Sequence, residues 1–306
     1  MSLATAFRYA LNKPKLKNLY WDVTFRCNLR CKYCFYWNPQ RAEITLKKLK
    51  EYGNELTFSD FRTHVLPNLR NTGIKHVTIT GGEPFVRYGI LDMLKTLHEN
   101  NFIVVVYTNG TLIDTRSKAL NIVLSCKGIQ LSLDGPEEVN DELRGAGVFN
   151  RVIRCLSLLQ EAMDEVEKEI PVVVNCVINK HNMRVLSNLV EELKDYGVTI
   201  SFQFLEWKPI ELICDPEYRA WSLTVGEELR KVDPETVHRE CMKAIELGRK
   251  YHVKVKFHPL TWPFSAEDVK RWFYDSSFRS SNHCLFLWDS IRMDPYGNLY
   301  PCMYIY

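Results

Sequence analysis

The sequence predicts an α/β fold of six successive β/α units with a small C-terminal extension. Short β-branched runs alternate with longer amphipathic stretches, with Gly, Pro and Asn at the joins, which is the pattern of parallel strands linked by right-handed crossovers. Alternate residues within those runs are polar, so one face of the sheet is wet. Hydrophobic residues make up 46% of the 306, enough core for one large α/β barrel or two ordinary domains. The strand pattern alone leaves an open doubly wound sheet and a complete or partial (β/α)6, TIM-like barrel available; the wet face favours a barrel whose lumen holds a large polar ligand.

Residues 1–18 form an N-terminal helix and linker: Leu3, Ala6, Phe7, Ala10 and Leu11 recur at helical spacing, suited to packing on the protein's own body. The barrel core covers 19–205. Its strands are expected at 19–25, 76–80, 102–108, 129–134, 171–178 and 198–205, with helices over 58–71, 88–100, 115–124, 148–168 and 183–196. Residues 40–56 read as a charged, solvated insertion. Within the strands, Gln130, Ser132 and Asp134 share one face, opposite Ile129, Leu131 and Leu133. The same count groups Thr78 with Thr80, Tyr107 with Asn109, Asn175 with Asn179, and Ser201 with Gln203. A packed barrel interior would carry Val, Ile and Leu there. Residues 206–283 are a helical and irregular region rich in Trp, Pro and charge, with a helix near 235–251 and the short strand "VKVKF"; residues 284–306 form a final unit.

Forty Lys and Arg against 37 Asp and Glu leave a net charge of +3, which argues against a nucleic acid or an anionic surface as partner. No run approaches the roughly 18 apolar residues of a transmembrane helix, and the start lacks a signal peptide's apolar core, so a cytoplasmic location is expected. Ten cysteines in such a chain are metal ligands or buried apolar residues rather than a disulfide framework.

Cys27, Cys31 and Cys34, in "RCNLRCKYCFYW", cannot all face one atom from one straight helix, but a loop can wrap them around a cubic cluster. Structural zinc wants four protein ligands, and the nearest histidine is His64. Three thiolates on a [4Fe-4S] cluster leave one iron open. The spacing favours the cluster and leaves zinc as the alternative. In "VTITGGEPFV", Gly81 and Gly82 follow a strand and expose backbone to a ligand, and the Glu83 carboxylate, next to Pro84, can accept bonds from an ammonium.

The cysteine loop, the Gly81-Gly82-Glu83-Pro84 turn, "TNG" (108–110) and "SLDG" (132–135), each after a strand and in this order, resemble the radical S-adenosylmethionine (SAM) enzymes over roughly 19–205. The resemblance implies that Cys27, Cys31 and Cys34 bind a [4Fe-4S] cluster whose fourth iron is chelated by SAM. It seats the methionine amino group on Gly81, Gly82 and Glu83 beside Pro84. It lays Tyr33 against adenine and gives the SAM carboxylate to Ser132 and Arg144, with Asn109 and Asp134 in the same contact set. A guanidinium opposite a carboxylate makes a charge-assisted contact, which supplies a physical reason for that pairing. The implied reaction is reductive cleavage of SAM to methionine and a 5'-deoxyadenosyl radical that abstracts hydrogen from a substrate, with an electron donor such as flavodoxin or ferredoxin as partner.

The tail, Cys284 before a hairpin turning at Pro295-Tyr296-Gly297 with Cys302 on the return strand, is similar to the opening of a SPASM or Twitch extension. The likeness makes Cys284 and Cys302 ligands of an auxiliary iron-sulfur cluster. The chain stops four residues after Cys302, which reads as truncation of a longer protein, with a remnant of the extension as the alternative. Fewer than twenty residues before the first strand leave no room for a peptide-recognition domain there, which weakens a peptide substrate against a small molecule. Gln203, Glu206, Trp207 and Trp221 are candidate substrate-facing groups, and Cys126, Cys155, Cys176, Cys214 and Cys241 are expected to pack as small hydrophobes. The competing class is a non-catalytic iron-sulfur or zinc scaffold; the presence of both the cysteine triad and the Gly-Gly-Glu-Pro turn speaks against it.

Overall fold

A computed structural model of the chain describes residues 16–39, 42–205, 225–275, 277–278 and 286–301. The expected N-terminal helix, Glu206, Trp207, Trp221, Cys214, Cys284 and Cys302 lie outside the described residues.

Strands β1 (Asn18–Asp22), β2 (His76–Thr80), β3 (Ile103–Thr108), β4 (Gly128–Ser132), β5 (Val172–Ile178) and β6 (Thr199–Phe204) form the six expected parallel strands. Their β-branched residues suit a pleated surface, and the period of two divides it cleanly. Leu19, Trp21, Val77, Ile79, Val104, Val106, Leu131, Val174, Ile200 and Phe202 point to one side and are almost wholly buried there. That side is covered by helices, among them α1 (Ala42–Glu51), α2 (Phe58–Asp60, Phe61–Val65 and Leu66–Arg70 in succession), α3 (Ile90–Glu99), α4 (Arg116–Ser125), α5 (Glu137–Arg144), α6 (Val148–Glu165), α7 (Leu186–Glu192), α8 (Pro234–Tyr251) and α9 (Ala266–Tyr274). α6 shows why they form: Val152, Cys155, Leu156, Leu159 and Ala162 recur at three- and four-residue spacing and bury one stripe. Cys126, Cys155, Cys176 and Cys241 are fully buried apolar packing, as expected.

The parallel set does not stop at the sixth strand. β7 (Lys254–His258) pairs with β6 in parallel, and β8 (Ser290–Met293) pairs with β1 in parallel, so the sheet runs continuously across the divisions expected at 206 and 284. Strand order is β7-β6-β5-β4-β3-β2-β1-β8-β9, with β7 and β9 at its edges among the described residues, as in a barrel left open on one side. β9 (Leu299–Tyr300) returns antiparallel from β8 around the expected Pro295-Tyr296-Gly297 turn. Asp294 holds that turn by accepting the N–H groups of Tyr296 and Asn298 on Oδ1, and Gly297 supplies a φ of +91° that other residues resist.

Two further differences have local causes. The charged stretch after the cysteine loop is not simply solvated: α1 lies in it, and the buried Thr45 donates to the Tyr36 carbonyl. α7 spans less than the expected 183–196 and begins only at Leu186, after a turn in which Asn182 Nδ2 donates to the carbonyls of Asp134 and Val177.

β8 is joined to β1 by charge as well as by backbone. Arg292 pairs with Asp22, whose side chain is 3% exposed, and burial pushes the Asp22 carboxyl up against the pull of that guanidinium. Replacing Arg292→Met strands a buried carboxylate and is expected to cost about 3 kcal/mol. Urea unfolding checks this: the loss should be largest at neutral pH and shrink as acid protonates Asp22, because a carboxyl raised by burial destabilises only when ionised.

Candidate active site

Cys27, Cys31 and Cys34 occupy the loop that leaves the C-terminal end of β1. Its shape is set by its own backbone and by three neighbours. Within it, the amides of Leu29 and Trp37 point at Cys27 Sγ and Cys34 Sγ, at 3.4 and 3.3 Å. The Trp37 indole, 2% exposed, donates to the Phe25 carbonyl at 2.7 Å and lies under the Arg30 guanidinium. Lys32 N donates to Leu143 O at 2.8 Å, tying the loop to α5, while Glu55 accepts from Thr24 Oγ1 and Phe25 N. On the outer side, α1 and the hairpin wall a cavity of about 270 Å3 lined by Phe25, Tyr36, Tyr52 and Tyr296.

The third neighbour is the Gly81-Gly82-Glu83 turn after β2. Gly82 N donates to Thr24 O at 2.8 Å and Glu83 N to Arg26 O at 2.9 Å. A Cβ on Gly81 would overlap the Thr24 carbonyl, and one on Gly82 would overlap those of Phe25 and Arg26. The glycines are therefore required first by the cysteine loop, which presses directly on them, and Gly81 also has a φ of +133°.

Glu83 is fully buried and faces inward. Its Oε1 accepts from Thr108 Oγ1 at 2.7 Å and from Phe85 N at 3.1 Å, and Oε2 accepts from Asn109 N at 2.7 Å. Burial nevertheless outweighs those three donors and pushes its carboxyl up to about 7. The carboxylate expected to meet an ammonium is thus committed to the end of β3. Asn109 extends the tie, its Nδ2 donating to Asn28 Oδ1 at 2.9 Å and standing 4.0 Å from Cys27 Sγ.

Beyond β4, Asp134 is fully buried and collects Arg144 Nε at 2.7 Å, Val177 N at 3.0 Å and the Tyr33 hydroxyl. The Arg144 guanidinium lies 5.4 Å from the centre of the Tyr33 ring. Burial alone would lower Arg144, but Asp134 and the neighbouring Tyr33 and Cys31 hold it above its ordinary value, so it stays charged. Arg144 was expected opposite a ligand carboxylate; it has a protein carboxylate of its own, and because that contact uses Nε, the two Nη groups are left to a second acceptor. Ser132 is half-buried on the polar face.

Residues 21–193, more than half of the chain, match the Radical SAM superfamily. The chain belongs to the radical SAM superfamily. It is 33% identical over 250 residues to the Fe-coproporphyrin III synthase of Methanosarcina barkeri (strain Fusaro / DSM 804), which covers 79% of this chain and 54% of that protein. It is 28% identical over 201 residues to the mycofactocin maturase MftC of Mycobacterium ulcerans (strain Agy99), covering 65% of this chain and 49% of that protein. The crystal structure of Streptococcus suis SuiB bound to S-adenosylmethionine has the same fold, with a TM-score of 0.65 at 18% identity over 98% of this chain and 63% of that one. The chain thus spans about half the length of the curated relatives it matches.

Radical SAM enzymes use a [4Fe-4S] cluster and SAM, and the donor set here fits such a cluster. Among the described residues no three His, Cys, Asp or Glu side chains converge on a single metal ion. Thiols spread along a loop suit separate iron atoms instead, and amide N–H groups directed at sulfur stabilise thiolates. Burial pushes Cys27 up to about 12 and Cys31 to about 11, and raises Cys34 as well, so binding of a metal at these thiols would release protons.

Trp37, which closes the cysteine stretch without being assigned a role there, and Glu55, Asn140 and Asn182, which lie outside the motifs, complete the site. Asn140, fully buried, accepts the Asp134 N–H on Oδ1. Isolated polar or aromatic residues of this kind are too common in a sequence to single out.

Two outcomes are expected. Gly82→Ala should lower stability by roughly 2 kcal/mol and reduce iron and sulfide bound per chain after reconstitution, with the far-ultraviolet dichroism of the barrel retained. Glu83→Gln should change the pH dependence of unfolding. Because the wild-type carboxyl is raised from 4.5 to about 7, its contribution is complete below the lower value and is lost as pH rises through the higher one. The variant should lack that slope.

Proposed function

We propose that this chain is a radical SAM enzyme in which Cys27, Cys31 and Cys34 hold the cluster and the polar face of the sheet holds SAM and an organic substrate. The observation that supports this reading is the direct docking of the Gly81-Gly82-Glu83 turn on the cysteine loop through the Gly82 and Glu83 amides. When bound, the cluster supplies one electron that cleaves SAM to methionine and a 5'-deoxyadenosyl radical, which takes a hydrogen atom from the substrate.

The residues divide that work. Gly82 and Glu83 spend their N–H groups on the loop, so the turn presents carbonyls, the polarity that accepts a methionine ammonium. Arg144, kept charged and oriented by Asp134, offers Nη groups to the SAM carboxylate with Ser132 beside it. Tyr33, anchored through its hydroxyl, presents its ring toward adenine, and Asn109 braces Cys27. Cys284 and Cys302 are proposed ligands of an auxiliary iron-sulfur cluster. The substrate is a peptide or a small molecule, supported by relatives named for Fe-coproporphyrin III and for mycofactocin maturation. A low-potential carrier such as flavodoxin or ferredoxin supplies the electron. The seven described cysteines are all free, which suits a reducing cytoplasmic compartment.

The test is anaerobic reconstitution with iron and sulfide, then dithionite and SAM, with 5'-deoxyadenosine measured by chromatography. Wild type should form it, and Cys31→Ala should lose both the brown chromophore and the product. Stoichiometric zinc binding with no 5'-deoxyadenosine would instead establish a scaffold.

A further inference from the structure

Strand β7 puts both of its lysines and its histidine on the polar face. Register requires this: Lys254 lies beside Thr199, Lys256 beside Ser201 and His258 beside Gln203. Val255 and Phe257 turn the other way, where Phe257 stacks on Phe202 at 5.7 Å. One strand further in, Asn175 stands beside Ser201 and donates to Gln203 Oε1 at 3.3 Å. Lys254, Lys256 and His258 are exposed, and neither lysine has an ion pair among the described residues.

The carboxylates that share this face, or stand at its rim, are already matched. Asp22 is held by Arg292, Asp134 by Arg144, and Glu83 by three donors. Lys254 and Lys256 therefore carry positive charge with no ion-pair partner among the described residues. Lysines on an edge strand also discourage pairing with another chain, but a lysine on either face would do that. Here the charged side chains stand together on the ligand face.

Resting on the function proposed above, we infer that the substrate is a large polycarboxylate small molecule that seats carboxylates on Lys254 and Lys256. Two residues along a strand place those seats about 7 Å apart, and three strand spacings place Ser132 on β4 about 14 Å across the sheet. A substrate anchored at β7 must carry its reacting carbon over that distance to reach SAM. A tetracarboxylate macrocycle has that reach, and a free amino acid or a simple dicarboxylate is too short. The uncharged polar groups between, Gln203, Ser201, Asn175 and Gln130, leave the path without a competing carboxylate.

The test titrates coproporphyrin III, its neutral tetra-amide and tetraglutamate against the reconstituted chain with SAM present, read by porphyrin fluorescence and by displacement. The free acid should bind about tenfold tighter than the tetra-amide, a preference that falls with added salt. Lys254→Gln with Lys256→Gln should erase the preference, and the double Arg variant should keep it. Equal binding of acid and amide, no binding of the acid, or tetraglutamate binding in its place would overturn the inference. If the double Gln variant does not fold, the wild-type comparison of acid with amide and the Arg variant still decide. SAM cleavage by wild type without substrate is scored separately. Its absence would sink the underlying function, whereas cleavage without acid preference would sink only the polycarboxylate.

Discussion

Two backbone hydrogen bonds, from Gly82 to Thr24 and from Glu83 to Arg26, are the constraint on which the site depends. They exist because two successive residues lack a Cβ where three carbonyls crowd in. Through them the β1 loop, the β2 turn and, by way of Glu83, the end of β3 become one rigid unit. Three strands that could each end in a mobile loop instead fix one another at the carboxyl edge of the sheet, where barrels of this kind assemble their chemistry.

Among the described residues, the buried carboxyl groups of the sheet each have specific partners. Asp22 binds the hairpin strand to β1 through Arg292, Asp134 gathers Arg144 and Tyr33, and Glu83 is enclosed by donors from β3 and its own turn. Removing one partner of such a set costs more than the pair contributes, because the remaining charge stays buried. The arrangement gives register and orientation more than stability. It also leaves the lumen with a positive border along β7.

The strands are legible in the sequence because β-branched alternation survives any tertiary context that buries one face, and the hairpin is legible from its Pro-Tyr-Gly turn. Strand β7 is also visible, as "VKVKF", but its membership in the sheet is not. An edge strand with lysines at alternate positions looks like solvated surface until its register with β6 is known. The candidate site residues are singled out by resemblance alone, and their contacts are not legible in the sequence. Glu83 and Arg144 read as ligand groups, yet each is first bound to protein, because sequence shows a residue's chemistry and not which buried neighbour claims it. Trp37 and Asn182 leave no periodic trace at all.

The cysteine loop owes its shape to protein contacts rather than to the cluster proposed to bind there. Hydrogen exchange on the iron-free chain tests this most directly. The amides of Lys32, Gly82 and Glu83 should exchange nearly as slowly as those of the β1–β2 ladder before any iron is added, since all three are bonded to carbonyls in a packed region. Rapid exchange at these three amides, becoming slow only after iron and sulfide are supplied, would show that the cluster builds the loop and would contradict the account.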